Sequence, residues 1–216
     1  MLESARGAIA ALRRREVVRW LVLLQFSDLM LDVLHGFLAL YFVDVAGLSG
    51  AGAALAIVVW TGVGLAGDAL VIPLLARVEG TRWLRASATA VLIVFPAFLL
   101  VPGVTPKLVL VGALGLLNSG WYSILAGRLY SAMPGQSGAI MTLSSGFGLA
   151  GGILPLAIGA AAEAFGLPAA MWLLLAGPVA LLVGIPRRPR NSRGAGRRRT
   201  LTAIDVAGPS IQEEPS

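Results

Sequence analysis

Six apolar stretches divide the chain between Val17 and Ile185, each long enough to cross a bilayer as a helix. They cover Val17–Val43 and, approximately, Gly50–Leu75, Trp83–Val101, Leu108–Tyr130, Gly138–Ala162 and Ala169–Ile185. Glycine, proline and charge punctuate them. Asp44 to Ser49 forms one turn, and Arg77-Val-Glu79-Gly80-Thr-Arg82 a tight charged loop. Pro102 to Pro106, Met133 to Ser137 and Phe165 to Pro168 make the remaining turns, and Pro186 ends the sixth stretch. Pro96 is expected to bend the third helix, since it removes one backbone hydrogen bond. The expected fold class is therefore an all-α polytopic membrane protein with six transmembrane helices.

The first stretch differs from the rest. Gln25, Asp28, Asp32 and His35 interrupt its leucines and valines. At about 100° per residue these four fall within about a quarter-turn of one helix face. A carboxylate at mid-bilayer costs on the order of 2.5–3.5 kcal/mol, and two acids one turn apart also repel. This face is expected to look into a wet or protein-lined cavity. There it could carry a proton between Asp28 and Asp32, extended by His35, or bind substrate.

Composition narrows the class further. The 216 residues are 57% hydrophobic and 13% charged, with mean hydropathy +0.83. A soluble domain of this length cannot bury that much apolar surface. The absence of cysteine excludes disulfides, thiolate metal sites and cysteine nucleophiles. The net charge of +6 is concentrated at the chain ends and in alternate loops. That distribution suits membrane topology and argues against nucleic-acid binding.

Charge also orients the chain. The N-terminal region, the Arg77–Arg85 loop, Arg128 and the C-terminal region are basic, whereas the intervening loops hold a single lysine, Lys107. Both termini are expected in the cytoplasm of a cell inner or plasma membrane, consistent with six crossings. Residues 1–16 read as a cytoplasmic, amphipathic lead, and 17–186 as the transmembrane domain. From Arg187 to Ser216 the chain reads as a basic disordered tail, with too little apolar material to fold. Arg13–Arg15 before an apolar stretch resembles a signal peptide, but the stretch is long and acidic and lacks a cleavage site.

With these residues in place, Val17 to Ile185 resembles the carboxy-terminal six-helix half of a major facilitator superfamily transporter. A polar first helix and five apolar ones carry the likeness. So does Ala76-Arg77-Val-Glu79-Gly80-Thr-Arg82, similar to the family's G-x-x-x-D-R-x-G-R-R loop with Ala76 at the Asp position. Tyr130-Ser-Ala-Met-Pro134-Gly135-Gln-Ser-Gly138, leading into a Gly/Pro-rich fifth helix, is the third feature. The resemblance implies secondary transport of a small organic solute, bound between two six-helix halves. The chain then supplies one half, to be completed by a second chain or a second copy, or is a truncated product. Its lipid bilayer is the other expected partner. The alternative is a non-transporting membrane scaffold or degenerate half.

Further polar residues extend the expected site. Asn118 and Tyr122 lie one turn apart with Trp121 beside them, and Trp60 is also mid-span, so these could line a substrate cavity. Asp68 and Arg128, both towards the inner side, could pair as a gate. Gly148 and Gly152, spaced by four, and Gly62, Gly64 and Gly67 are expected to admit neighbouring helices closely. No enzymatic activity or cofactor is expected. Leu143-Ser144-Ser145-Gly146 is similar to the serine of rhomboid-type proteases, but no histidine follows it. Asp32 and His35 alone are too few ligands for a metal.

Overall fold

A computed structural model describes residues 11–186. The lead over residues 1–10 and the tail over 187–216 lie outside the described residues. Among those described, the chain is entirely helical and turn. Five runs are long and apolar enough to cross a membrane: Gly50–Leu75, Gly80–Leu100, Val104–Ala132, Ser137–Phe165 and Leu167–Gly184. The first run, from Arg15 to Asp44, is not among these five. It consists of α1 (Arg15–Asp28), a π-helical turn (Leu29–Val33) and α2 (Leu34–Asp44).

The turns follow from local chemistry. Gly47 takes φ +70° after α2, a left-handed conformation that glycine adopts without a Cβ penalty. Ser49 then caps α3 (Gly50–Leu75), its Oγ accepting from the Gly52 N–H at 3.4 Å. The fourth helix, α4 (Gly80–Leu100), continues through Pro96 without interruption.

The end of α4 is closed by a buried lysine. Pro102 has no N–H, so the carbonyl four residues back, on Phe98, loses its helical partner. Lys107, 7% exposed, supplies the replacement. Its Nζ donates to Phe98 O at 2.8 Å, Leu99 O at 3.2 Å and the Tyr41 hydroxyl at 2.8 Å. The ammonium also lies 5.0 Å from the Tyr41 ring centroid and 5.2 Å from that of Phe98. The negative end of the α4 dipole thus meets a positive charge, and a helix from each of three spans is tied at one point. Around it Tyr41, Phe42, Phe95 and Phe98 form a fully buried aromatic cluster.

Three further expected helices are not continuous. The fourth span breaks into α5 (Val104–Asn118) and α6 (Trp121–Ala132). The fifth is interrupted at Gly152 between α7 (Ser137–Gly151) and α8 (Ile153–Phe165). The sixth comprises α9 (Leu167–Met171), a 3-10 turn (Trp172–Leu175) and α10 (Ala176–Gly184). Pro178 explains the tightened turn: its ring crowds the Leu174 carbonyl and offers it no N–H. At the far end of α10, the Arg85 guanidinium donates to Ile185 O at 2.9 Å, a cationic helix cap.

Packing is closest between α3 and α5, and α1 packs mainly on α10 and α6. The tight contacts differ from those expected of the fifth helix. Side-chain space beside Gly146, Gly148 and Gly159 is open, and Gly152 abuts only its own helix. Gly62 is likewise open, whereas Gly67 lies against Ser119. The closest backbone approaches are at Gly115, whose added Cβ would sit 2.7 Å from Trp60 O, and at Gly177, 2.7 Å from Phe26 O. Small residues therefore join the second span to the fourth and the first to the sixth. The outer surface is apolar, with Leu149, Val183, Ile72 and Met141 all strongly exposed, as a lipid-facing surface requires.

Candidate functional site

A cavity of about 380 Å³ lies between α2, α3 and the break in the fourth span. Its walls include His35, Trp60, Asp68, Asn118, Trp121 and Tyr122. Six of the residues singled out from sequence thus meet in one place.

The break builds this site. Ser119 is extended (ψ 140°) and Gly120 left-handed (φ +74°), which frees backbone groups that a continuous helix would pair. Side chains from two other spans hold the freed groups. Asp68 Oδ1 accepts from the Gly120 N–H at 2.7 Å, and Trp83 Nε1 donates to Ser119 O at 3.1 Å. Ser119 Oγ turns back to Leu116 O at 2.6 Å. Trp121 is fully buried, its Nε1 donating to Ser87 Oγ at 2.8 Å. It fixes the start of α6, while Tyr122 beside it is 60% exposed.

Two polar groups at the cavity remain unsatisfied. Asn118 is 2% exposed, and neither its amide nitrogen nor its oxygen has a hydrogen-bond partner. His35 Nε2 is buried and likewise without one. Leaving a buried amide unpaired costs about 1–3 kcal/mol. Such a residue is stable only where something else repays that cost, and a ligand or ordered water would do so.

The four polar residues of the first span do not act as one face. The π turn adds a residue to the helical circuit, so the residues beyond it are rotated by about 100° relative to those before it. His35 consequently faces the cavity, whereas Gln25, Asp28 and Asp32 do not line it. Gln25 Nε2 donates to Asp28 Oδ2 at 3.2 Å, and the Gln25 amide presses on Gly151 of α7. Asp28 is half-buried and Asp32 is exposed on the surface of the unit. No hydrogen bond or ion pair joins Asp32 to His35 among the described residues.

The expected gate between Asp68 and Arg128 is not formed either. Arg128 pairs instead with Glu79, in the loop before α4, at 3.1 Å. Asp68 is held at Gly120, and Arg128 lies two turns further along α6, roughly 12 Å down the axis. The loop acid, in the segment Ala76–Arg82, is the nearer partner.

Among the described residues no group of His, Asp and Glu is arranged to hold a metal ion. Comparison with known protein families, curated proteins and solved structures returned no match to the chain. What the fold and site define is an all-helical protein with several apolar helices compatible with integral membrane residence, and a polar cavity among them.

Proposed function

We propose that this protein is one half of a secondary transporter for a small organic solute, of the major-facilitator type. It crosses the membrane six times with both termini in the cytoplasm. The observation that carries the reading is the interrupted fourth span over the cavity. Unwound backbone within a membrane is tolerated only where protein or a water-filled space satisfies it, and transporters bind substrate at such discontinuities. A scaffold has no use for an unsatisfied Asn118 amide at that depth.

Asp32 bears on the partner. An exposed carboxylate in the first span is costly against lipid, so that face is covered by a second six-helix half or a second copy. Asp28 and Asp32 then border the space between halves and carry the coupling proton. Protein purified in mild detergent is expected to crosslink and to run as a dimer in light scattering. A strictly monomeric particle would remove the two-half pathway.

Transport is tested in vesicles loaded with a pH-sensitive dye. At least one solute pool among amino acids, organic acids, sugars and organic cations is expected to dissipate an imposed proton gradient through the wild type. Asp28→Asn or Asp32→Asn should abolish the proton movement. If no pool moves protons or labelled solute, the reading fails. The orientation has its own test, because the chain contains no cysteine. Single cysteines at Ser49 and Arg82 are expected to be labelled by an impermeant maleimide from opposite sides, and labelling from the same side contradicts the six-span topology.

A further inference from the structure

We infer that the cavity recognises a small zwitterion, an amino acid with an apolar side chain, with its carboxylate at the start of α6 and its ammonium on Asp68. The inference rests on the transport reading for its purpose but not for its geometry. A helix leaves its first four N–H groups without internal partners. At α6 these belong to Gly120, Trp121, Tyr122 and Ser123, and Asp68 Oδ1 takes only the first. The other three residues line the cavity, and the positive end of the α6 dipole points there. Asn118 is the independent indication. Its amide is buried, unpaired and in the same wall, and its NH2 is a donor suited to a carboxylate oxygen.

Asp68 decides between ligand classes. Its Oδ2 has no hydrogen bond or ion pair among the described residues. A lone anion at α6 would meet this carboxylate and be repelled. A lone cation would satisfy Asp68 but leave Asn118 and the α6 N–H groups unpaired. A ligand carrying both charges on neighbouring groups, an ammonium and a carboxylate on one carbon, satisfies both sides and adds no net charge to the site. The ammonium also lies towards the carboxyl end of α5, whose dipole is negative there. Beside His35 and Thr61, the lining includes Leu31, Leu65, Trp60 and the Tyr122 ring, an apolar stretch that suits an aliphatic or aromatic side chain.

The test measures binding rather than transport, on the full chain in lipid nanodiscs. Melting is followed by tryptophan emission with each of the twenty amino acids, then by equilibrium binding of radiolabelled leucine. Leucine, or another apolar amino acid, is expected to raise the melting temperature. Isoamylamine and 4-methylpentanoate, which lack the carboxylate and the ammonium of leucine respectively, should displace labelled leucine about tenfold less well or worse. Asp68→Asn keeps an oxygen for the Gly120 N–H, so it should leave the unliganded melting temperature nearly unchanged. It should nevertheless weaken leucine about tenfold and erase its advantage over 4-methylpentanoate. Equal binding by isoamylamine would make this a cation site, and equal binding by 4-methylpentanoate an anion site; either overturns the inference. So does the failure of all twenty amino acids to bind. Binding without transport would leave the inference standing and refute the transporter reading, so the two fail separately.

Discussion

Replacing Lys107 with methionine is expected to destabilise the protein by roughly 3 kcal/mol or more, measured by thermal or SDS-induced unfolding in detergent micelles. Methionine fills much of the same volume but carries no donor. Phe98 O loses its only replacement donor, the Tyr41 hydroxyl loses the ammonium it accepts from, and Leu99 O keeps only the long bond from the Tyr41 hydroxyl at 3.4 Å. Each buried acceptor left unpaired costs about 1–3 kcal/mol, and the cation over the Tyr41 and Phe98 rings adds to the loss. Tyr41→Phe removes one hydroxyl from the same cluster and is expected to cost only about 1 kcal/mol. If the methionine variant melts no lower than Tyr41→Phe, the lysine is not the keystone of this end of the bundle.

Lys107 also marks a limit of the sequence pattern. In the charge pattern it counts only as a lone basic residue in a loop expected on the outer side, which says nothing about burial; the structure places it in the first turn of α5. The signal for its role is Pro102, five residues before it: a proline just past a helix end orphans a carbonyl, and a nearby cation can reach it. Apolar periodicity locates the helices well because hydrocarbon admits little else, and Pro102, Pro134 and Gly166 mark the ends of three spans. It conceals interruptions, because leucine and glycine continue on both sides of the break in the fourth span. Asn118-Ser119-Gly120 is a turn signal within that run, and Asp68, 52 residues earlier in the sequence, supplies its missing acceptor. The π turn at Leu29–Val33 has no comparable local mark. That is why the first span reads as one polar face while its histidine and its acids part company in three dimensions. Asn118, Trp121, Tyr122, Trp60, Asp68 and His35 could be picked out one at a time by polarity or ring chemistry at mid-span. Their meeting in one cavity depends on the break and on how α3 crosses α5.

That crossing yields the sharpest contrast among the glycines. Gly115→Ala is expected to lower the melting temperature and to weaken leucine binding together. A Cβ there would lie 2.7 Å from the Trp60 carbonyl oxygen and 3.3 Å from the Gly64 amide nitrogen, both main-chain atoms that cannot rotate away. Only separation of α3 and α5 relieves the contact, and such overpacking costs about 1–3 kcal/mol. Gly115, Trp60 and Gly64 all line the cavity, so the same separation moves its walls. Gly148→Ala is the matched control: nothing lies within 4 Å of the new methyl group, and alanine favours the helix. It should melt at or slightly above the wild-type temperature and bind leucine unchanged. Indistinguishable melting of the two variants would mean that the second and fourth spans do not meet backbone to backbone, and the cavity walled by that contact would have to be redrawn.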